Sequence, residues 1–209
     1  MKIFTFALLI LIALQSTTCH KQPCDTTYNF DIPFSIIDAD SFRTGDTIWL
    51  SSTINEKLVD KSSNNSIDVS NFDFKIYSGI NRMDTTLIED AEKYFGVINS
   101  IGKFEISFLS GTTNTKVVYD NTNKIKRLKI GLIPKKIGIY KIGFYNLTDD
   151  ITRIKLTESE CLETLNMSYT MNEGKDFNYY LLKYSLQPFP ISTENDYKKE
   201  GNYVFKVIK

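Results

Sequence analysis

Tyr28-Asn29-Phe30-Asp31-Ile32-Pro33-Phe34-Ser35-Ile36 carries a large apolar side chain at every second position, with a polar residue or proline between. Successive side chains of a strand point to opposite faces, so this spacing predicts a strand with one buried and one wet face. Pro33 falls on the wet face and has no N–H for a ladder, which favours a sheet edge. The same period returns downstream. After the turn signal Gly45-Asp46, Ile48, Leu50 and Ile54 alternate with Thr47, Ser51 and Thr53. Phe72, Phe74 and Ile76 begin another strand, and Phe104, Ile106 and Phe108 make one that Gly111 ends. Residues 117–119, 125–133, 139–145 and 151–156 follow at short spacing. Leu165, Met167, Tyr169 and Met171 alternate again, and so do Tyr203, Phe205 and Val207. Residues 60–71, rich in Ser, Asn and Asp, read as an exposed loop. Many short strands with turn signals between them predict a mainly β fold, an antiparallel β-sandwich.

Two stretches break the period of two. Leu87, Ile88, Ala91, Tyr94 and Phe95 share one helical stripe, with Thr86 and Glu89 as a capping box and Gly96 as a stop. Phe177, Tyr180, Leu181 and Tyr184 form a second stripe, with Asp176 as N-cap and Pro188 beyond the end. Both are expected to pack on a sheet, as short helices inserted in the sandwich.

The chain has 209 residues, 42% of them apolar and 24% charged, which fits an ordinary globular domain and excludes collagen, coiled coil and wholesale disorder. Lys+Arg and Asp+Glu are 25 each, so there is no basic excess to hold a phosphate backbone, and no nucleic-acid partner is expected. The N-terminus has a different character. Lys2 precedes an uncharged run from Ile3 to Leu14, too short for a bilayer span of about 20 residues but in proportion for a secretory signal. The expected organisation is a signal peptide over 1–18, a tether over 19–26 and a single sandwich domain over 27–209.

Cys19, just after the apolar run and followed by the polar His20-Lys21-Gln22-Pro23, resembles the lipidation site of small bacterial lipoproteins of the Bacteroidota type. Ser16 and Thr18 stand where that family has Leu and Gly or Ala. The resemblance implies that Cys19 carries acyl chains and anchors the protein to the cell envelope. The residue after Cys19 is His20 and not Asp, which by the same resemblance implies the outer membrane, on either face. With Cys19 lipidated, Cys24 and Cys161 remain as an even pair in an oxidising compartment, either joined as a disulfide or free as two thiols.

Gly138-Ile139-Tyr140-Lys141-Ile142 resembles the corner-and-strand segment of immunoglobulin-like sandwiches, where a Tyr near the strand start bonds back to upstream backbone. Gly201-Asn202-Tyr203-Val204-Phe205 repeats the pattern. The Cys…Trp…Cys arrangement of antibody domains is absent, so the resemblance implies immunoglobulin-like architecture only.

No catalytic residues, metal site or cofactor emerge from the sequence. His20 is the sole imidazole and sits in the tether, where it cannot hold a triad's geometry. HExxH, CxxC, Walker-type and GxGxxG patterns are all missing. Asp149-Asp150, the group Glu158, Glu160 and Glu163, and the pair Asp38 and Asp40 read as solvated turn residues. Aromatic side chains are the one feature suited to ligand contact. Trp49 lies on the polar Thr47/Ser51/Thr53 face of its strand, where it either offers a stacking platform or is covered by helix 86–95. Tyr179, on the back of the second helical stripe, is the other candidate. The expectation is a non-enzymatic envelope lipoprotein that binds or scaffolds an envelope protein or glycan, the alternative being a glycan-binding or glycan-processing accessory.

Overall fold

Phe30, Ile32 and Phe34 are 0%, 0% and 1% exposed, while Pro33 and Ser35 face solvent, so the alternation of Tyr28–Ile36 is realised in strand β1 (Asp25–Ile36). The computed structural model describes residues 25–86, 91–109, 112–146, 162–174, 178–186, 194, 197 and 200–209. Cys19, His20, Cys24, Asp149, Asp150, Glu158, Glu160 and Cys161 lie outside the described residues, as does the strand expected over 151–156.

Two six-stranded sheets face each other. In the first, β3 (Ile48–Ile54) pairs with β1 on one side and β11 (Ile125–Pro134) on the other, and β13 (Leu162–Met171) lies beyond β1. The far side of β11 is shared by β7 (Phe95–Ile101) and β10 (Asp120–Thr122). The second sheet runs β2 (Ser41–Arg43), β14 (Tyr203–Ile208), β12 (Gly138–Tyr145), β6 (Ile76–Arg82), β9 (Thr112–Val118), β8 (Lys103–Leu109). A separate small ladder joins β4 (Lys57–Val59) to β5 (Ser66–Asp68). The alternating apolar sets meet between the two large sheets: Leu50, Ile130 and Leu132 from one, Tyr140, Ile142 and Phe205 from the other, all 0% exposed. The stacked rings of Phe34 and Phe144, 3.6 Å apart at their centroids, join the layers. Tyr140 donates its hydroxyl to the Lys136 carbonyl at 2.9 Å, the corner bond its sequence context suggested. Tyr203 instead reaches across to the Ala39 carbonyl at 2.7 Å.

The structure is therefore a β-sandwich of immunoglobulin-like architecture; residues 60–71, read as an exposed loop, instead hold β5 and bury Asp60, Val69 and Ser70, and three larger departures concern sheet direction, β1 and the helices. First, the sheets are mixed rather than purely antiparallel: β1 runs parallel to β13, and β14 parallel to β2. Second, β1 is interior despite Pro33. The amide nitrogen and carbonyl of one strand residue point to the same side, and the Pro33 carbonyl accepts the Ser52 hydroxyl of β3 at 2.6 Å. The missing N–H thus faces β3 where that ladder, which pairs only Phe34–Ile36, has just ended. Further along, the loop after β4 takes over: Asn29 N–H donates to Asp60, and Lys61 N–H to the Asn29 carbonyl. Third, the helix expected over 86–95 is reduced, among the described residues, to one 3-10 turn at Glu92–Tyr94, and Phe95 already begins β7. Ala91 N–H is drawn to the Ile80 carbonyl and Lys135 N–H to the Tyr94 carbonyl, so sheet neighbours claim this backbone. The second stripe forms a six-residue 3-10 helix, Tyr179–Tyr184.

Candidate functional site

Asp40 and Ser41 lead from β1 into β2, and Ser41 stands opposite Lys206 of β14. The 3-10 helix Tyr179–Tyr184 lies across the outer face of β14. It is fixed by Asn178, whose left-handed backbone (φ 54, ψ 36) turns its amide onto the carbonyls of Val204 (2.9 Å) and Ala39 (3.1 Å). A single side chain spanning two elements in this way sets the helix at a fixed height over the sheet. Leu181 of the helix and Val204 of β14 are both buried, at 5% and 0% exposure.

Between this helix and the β2–β14 edge lies a groove of about 590 Å³. Ile139, Leu181 and Ile208 supply its apolar lining. Tyr180 and Tyr184, 50% and 53% exposed, line it from the helix, and Lys183 holds its ammonium 5.9 and 4.9 Å from their ring centres. The polar lining is Asp40, Ser41, Asp84 and Lys206. Tyr180 donates its hydroxyl to Asp40 at 2.6 Å, and this bond, with one from Ser41, holds the Asp40 carboxyl below the usual carboxylate range. Asp84 is gripped by the Arg82 guanidinium at 2.7 and 3.2 Å. The groove thus offers aromatic surface, two pre-positioned carboxyl acceptors and the Lys206 ammonium.

The groove stands at one pole of the sandwich. β1 begins at Asp25 and ends at Ile36, just before Asp40, so it climbs from the opposite pole over roughly 36 Å at strand rise. At the groove pole the two sheets are laced together, Thr44 N–H to the Ile208 carbonyl and Gly45 N–H to the Pro134 carbonyl, both 2.9 Å.

The sequence candidates fall elsewhere. Trp49 is half-buried on the outer face of the first sheet, opposite Gly131, and Ile98 is Gly131's partner on the other side. An added Cβ on Gly131 would lie 3.2 Å from the indole, so the missing side chain is the space the ring uses. Lys129 places its ammonium 4.9 Å from the ring centre. Trp49 is thus half-buried, with Lys129 beside its ring. Tyr179 turns inward and meets Tyr197 edge-on at 5.3 Å. Its neighbours Tyr180 and Tyr184, assigned by periodicity to the packing stripe, are the rings that face solvent. The reason is the tighter 3-10 geometry, which does not keep the 3.6-residue stripe. Asp40, read as a solvated turn residue, lines the groove, whereas Asp38 is exposed outside it. Glu163 is 1% exposed and accepts the Tyr28 hydroxyl at 3.3 Å. A usable signal was present: the stripe's members at 180 and 184 are phenols, which tolerate water at one end, whereas Leu181 does not.

A second hollow of about 250 Å³ lies on the outer face of the second sheet, over the paired glycines Gly79 and Gly143. Lys141 and Glu200 border it, and burial pulls the Lys141 ammonium pKa down. Lys126 is buried too, donating to the carbonyls of Val69 and Ser70 at 2.8 and 2.7 Å, which ties the loop beyond β5 to β11. Among the described residues, no group of three His, Cys, Asp or Glu converges as a metal ion would require, and no helix is long and apolar enough to cross a membrane.

No protein-family model matches the chain, and no curated protein matches it. Among solved structures, the reeler domain of human F-spondin is similar over 72% of this chain and 92% of its own, with 9% identity and a TM-score of 0.28. The second type II cohesin module of the adaptor ScaA scaffoldin of Acetivibrio cellulolyticus is similar over 59% and 75%, at 11% identity and TM-score 0.27. The seventh ScaB type I cohesin of Pseudobacteroides cellulosolvens is similar over 71% and 93%, at 8% identity and TM-score 0.27. Strand pairing and the Tyr140 corner, and not these likenesses, define the sandwich.

Proposed function

We propose that the protein is a non-catalytic binding module of the cell envelope, held to the outer membrane by lipid on Cys19 and presenting the tyrosine groove to its ligand. The observation that carries this reading is the polarity of the sandwich. The tether leads into β1 at one pole, and the groove stands at the other, roughly 36 Å away along β1. From Cys19 to Asp25 an extended chain spans at most about 20 Å, so a lipid on Cys19 keeps the β1 start near the bilayer and leaves the groove free to face away. Several acyl chains, at about 0.8 kcal/mol per buried methylene, make such an anchor effectively permanent. Within the same reading Cys24 and Cys161 form a disulfide.

Mass spectrometry of the mature N-terminus, combined with cell fractionation, tests the anchor. The expected result is an acylated Cys19 and an envelope-bound protein that a Cys19→Ala variant releases. An unmodified Cys19 on a soluble protein overturns it. Cross-linking from a photoreactive residue at position 184 in intact cells tests the binding role, with the Cys19→Ala variant as localisation control. Recovery of no adduct above that control removes the groove as a binding site.

A further inference from the structure

The chemistry of the groove narrows its ligand. Tyr180 and Tyr184 keep about half of their surface in solvent even with Lys183 beside them. Exposed phenol rings over an apolar floor suit a ligand with flat patches of C–H. A purely apolar ligand is disfavoured, because it would cover Asp40, Asp84 and Lys206 without replacing their hydrogen bonds to water. A strong anion meets the Asp40 carboxylate, Asp84 being already paired with Arg82, and a strong cation meets Lys206 and Lys183. Asp40 is oriented by Tyr180 and Asp84 by Arg82, yet each carboxylate retains lone pairs for further donors. Hydroxyl groups are the donors that such acceptors take without importing net charge, and they accept in turn from the Lys206 ammonium.

We infer that the groove binds a neutral saccharide, with Tyr180 and Tyr184 stacking on sugar rings and Asp40, Asp84 and Lys206 bonding their hydroxyls. This rests on the reading of the groove as a binding site but not on the lipid anchor. The volume of about 590 Å³ lies in the range of small-molecule sites, enough for a short oligomer. The bond from the Tyr180 hydroxyl to Asp40 holds that ring in place before a ligand arrives, which lowers the ordering cost of binding.

The test uses the full chain in detergent on an array of neutral hexose and N-acetylhexosamine oligomers, alongside uronate-containing and phosphorylated ones, followed by calorimetry with the oligomer best retained. Retention of neutral oligomers is expected. Tyr180→Ala and Tyr184→Ala should each weaken binding by about tenfold or more, and Asp40→Asn by several-fold, with thermal midpoints close to wild type. Trp49→Phe, on the other sheet, should leave the affinity unchanged. The inference is overturned if no neutral oligomer is retained, if charged oligomers are preferred, or if binding survives both tyrosine truncations. An unacylated Cys19 would end the anchor reading while leaving this measurement intact.

Discussion

Asp60 accepts hydrogen bonds from the Ser63 hydroxyl at 2.6 Å and from the backbone N–H groups of Asn29 and Ser63 at 2.7 and 2.9 Å. These bonds, the Ser63 hydroxyl foremost, hold its carboxyl down to about 2, against 3.8 for an ordinary Asp. A carboxyl with a lowered native pKa adds stability that is complete above its unfolded value and fades as pH falls toward its native one. Asp60 should therefore stabilise the fold at neutral pH and lose that contribution between about pH 4 and pH 2. In urea titrations the gap between wild type and Asp60→Asn should be present at pH 6 and shrink through that acid window, as ordered by the pKa shift. A gap constant with pH would mean that Asp60 acts only by shape. Gly131 offers a second test at this scale. A Cβ there would stand 2.8 Å from Thr47 Cγ2, 3.2 Å from Trp49 and 3.3 Å from Ile98. Gly131→Ala should push the indole off the sheet, at a cost of about 1–3 kcal/mol. Trp49 is the chain's single tryptophan, so its emission reports the change directly. An unshifted spectrum with an unchanged melting midpoint would show that the ring does not depend on this gap.

At the scale of elements, alternation was legible wherever one face of a strand meets the core, as in β1, β3, β12 and β14. It fixed faces but not partners. Nothing in Tyr28–Ile36 or Leu165–Met171 says that these strands run side by side in the same direction, because direction depends on connections far apart in sequence. The stretch 86–95 misled because Tyr94 and Phe95 complete a helical stripe on paper, while the Ala91 N–H bonds to the Ile80 carbonyl, the Tyr94 carbonyl accepts from the Lys135 N–H and Phe95 pairs with Pro134 of β11. The groove was illegible for a related reason: Asp40, Asp84, Tyr180 and Lys206 come from four separate segments, and only the second sheet assembles them. The cysteines pose a further question at this scale: with Cys19 lipidated, Cys24 and Cys161 are an even pair in an oxidising compartment. We expect them to be joined by a disulfide, which in the loop-entropy account stabilises by about 4–5 kcal/mol. Intact mass should rise by about two hydrogens on reduction, and Cys24→Ser with Cys161→Ser should lower the melting midpoint. Two alkylatable thiols in the unreduced protein would defeat this expectation.

At the scale of the whole molecule, strands from the two ends of the sequence lie inside the sheets. β1 sits between β3 and β13, and β14, the last strand in the order, sits between β12 and β2. Tyr203, Val204 and Phe205 of β14 are each 0% exposed. Phe205 packs edge-on against Phe42 and Phe95 at 5.7 and 6.1 Å, and lies 5.9 Å from Tyr140, so one strand supports residues of both layers. Losing it would strip β12 of one ladder, leave β2 without a partner and open the floor of the groove at Lys206 and Ile208. Full burial of a large apolar side chain contributes about 1.5–3 kcal/mol, so four of them (Tyr203, Val204, Phe205, Val207) contribute about 6–12 kcal/mol, comparable with the roughly 5–15 kcal/mol that holds an ordinary domain together. A chain ended after Asn202 should therefore lose cooperative unfolding and bind a hydrophobic dye. Calorimetry that still records one sharp transition for the shortened chain would show that the sandwich does not depend on β14.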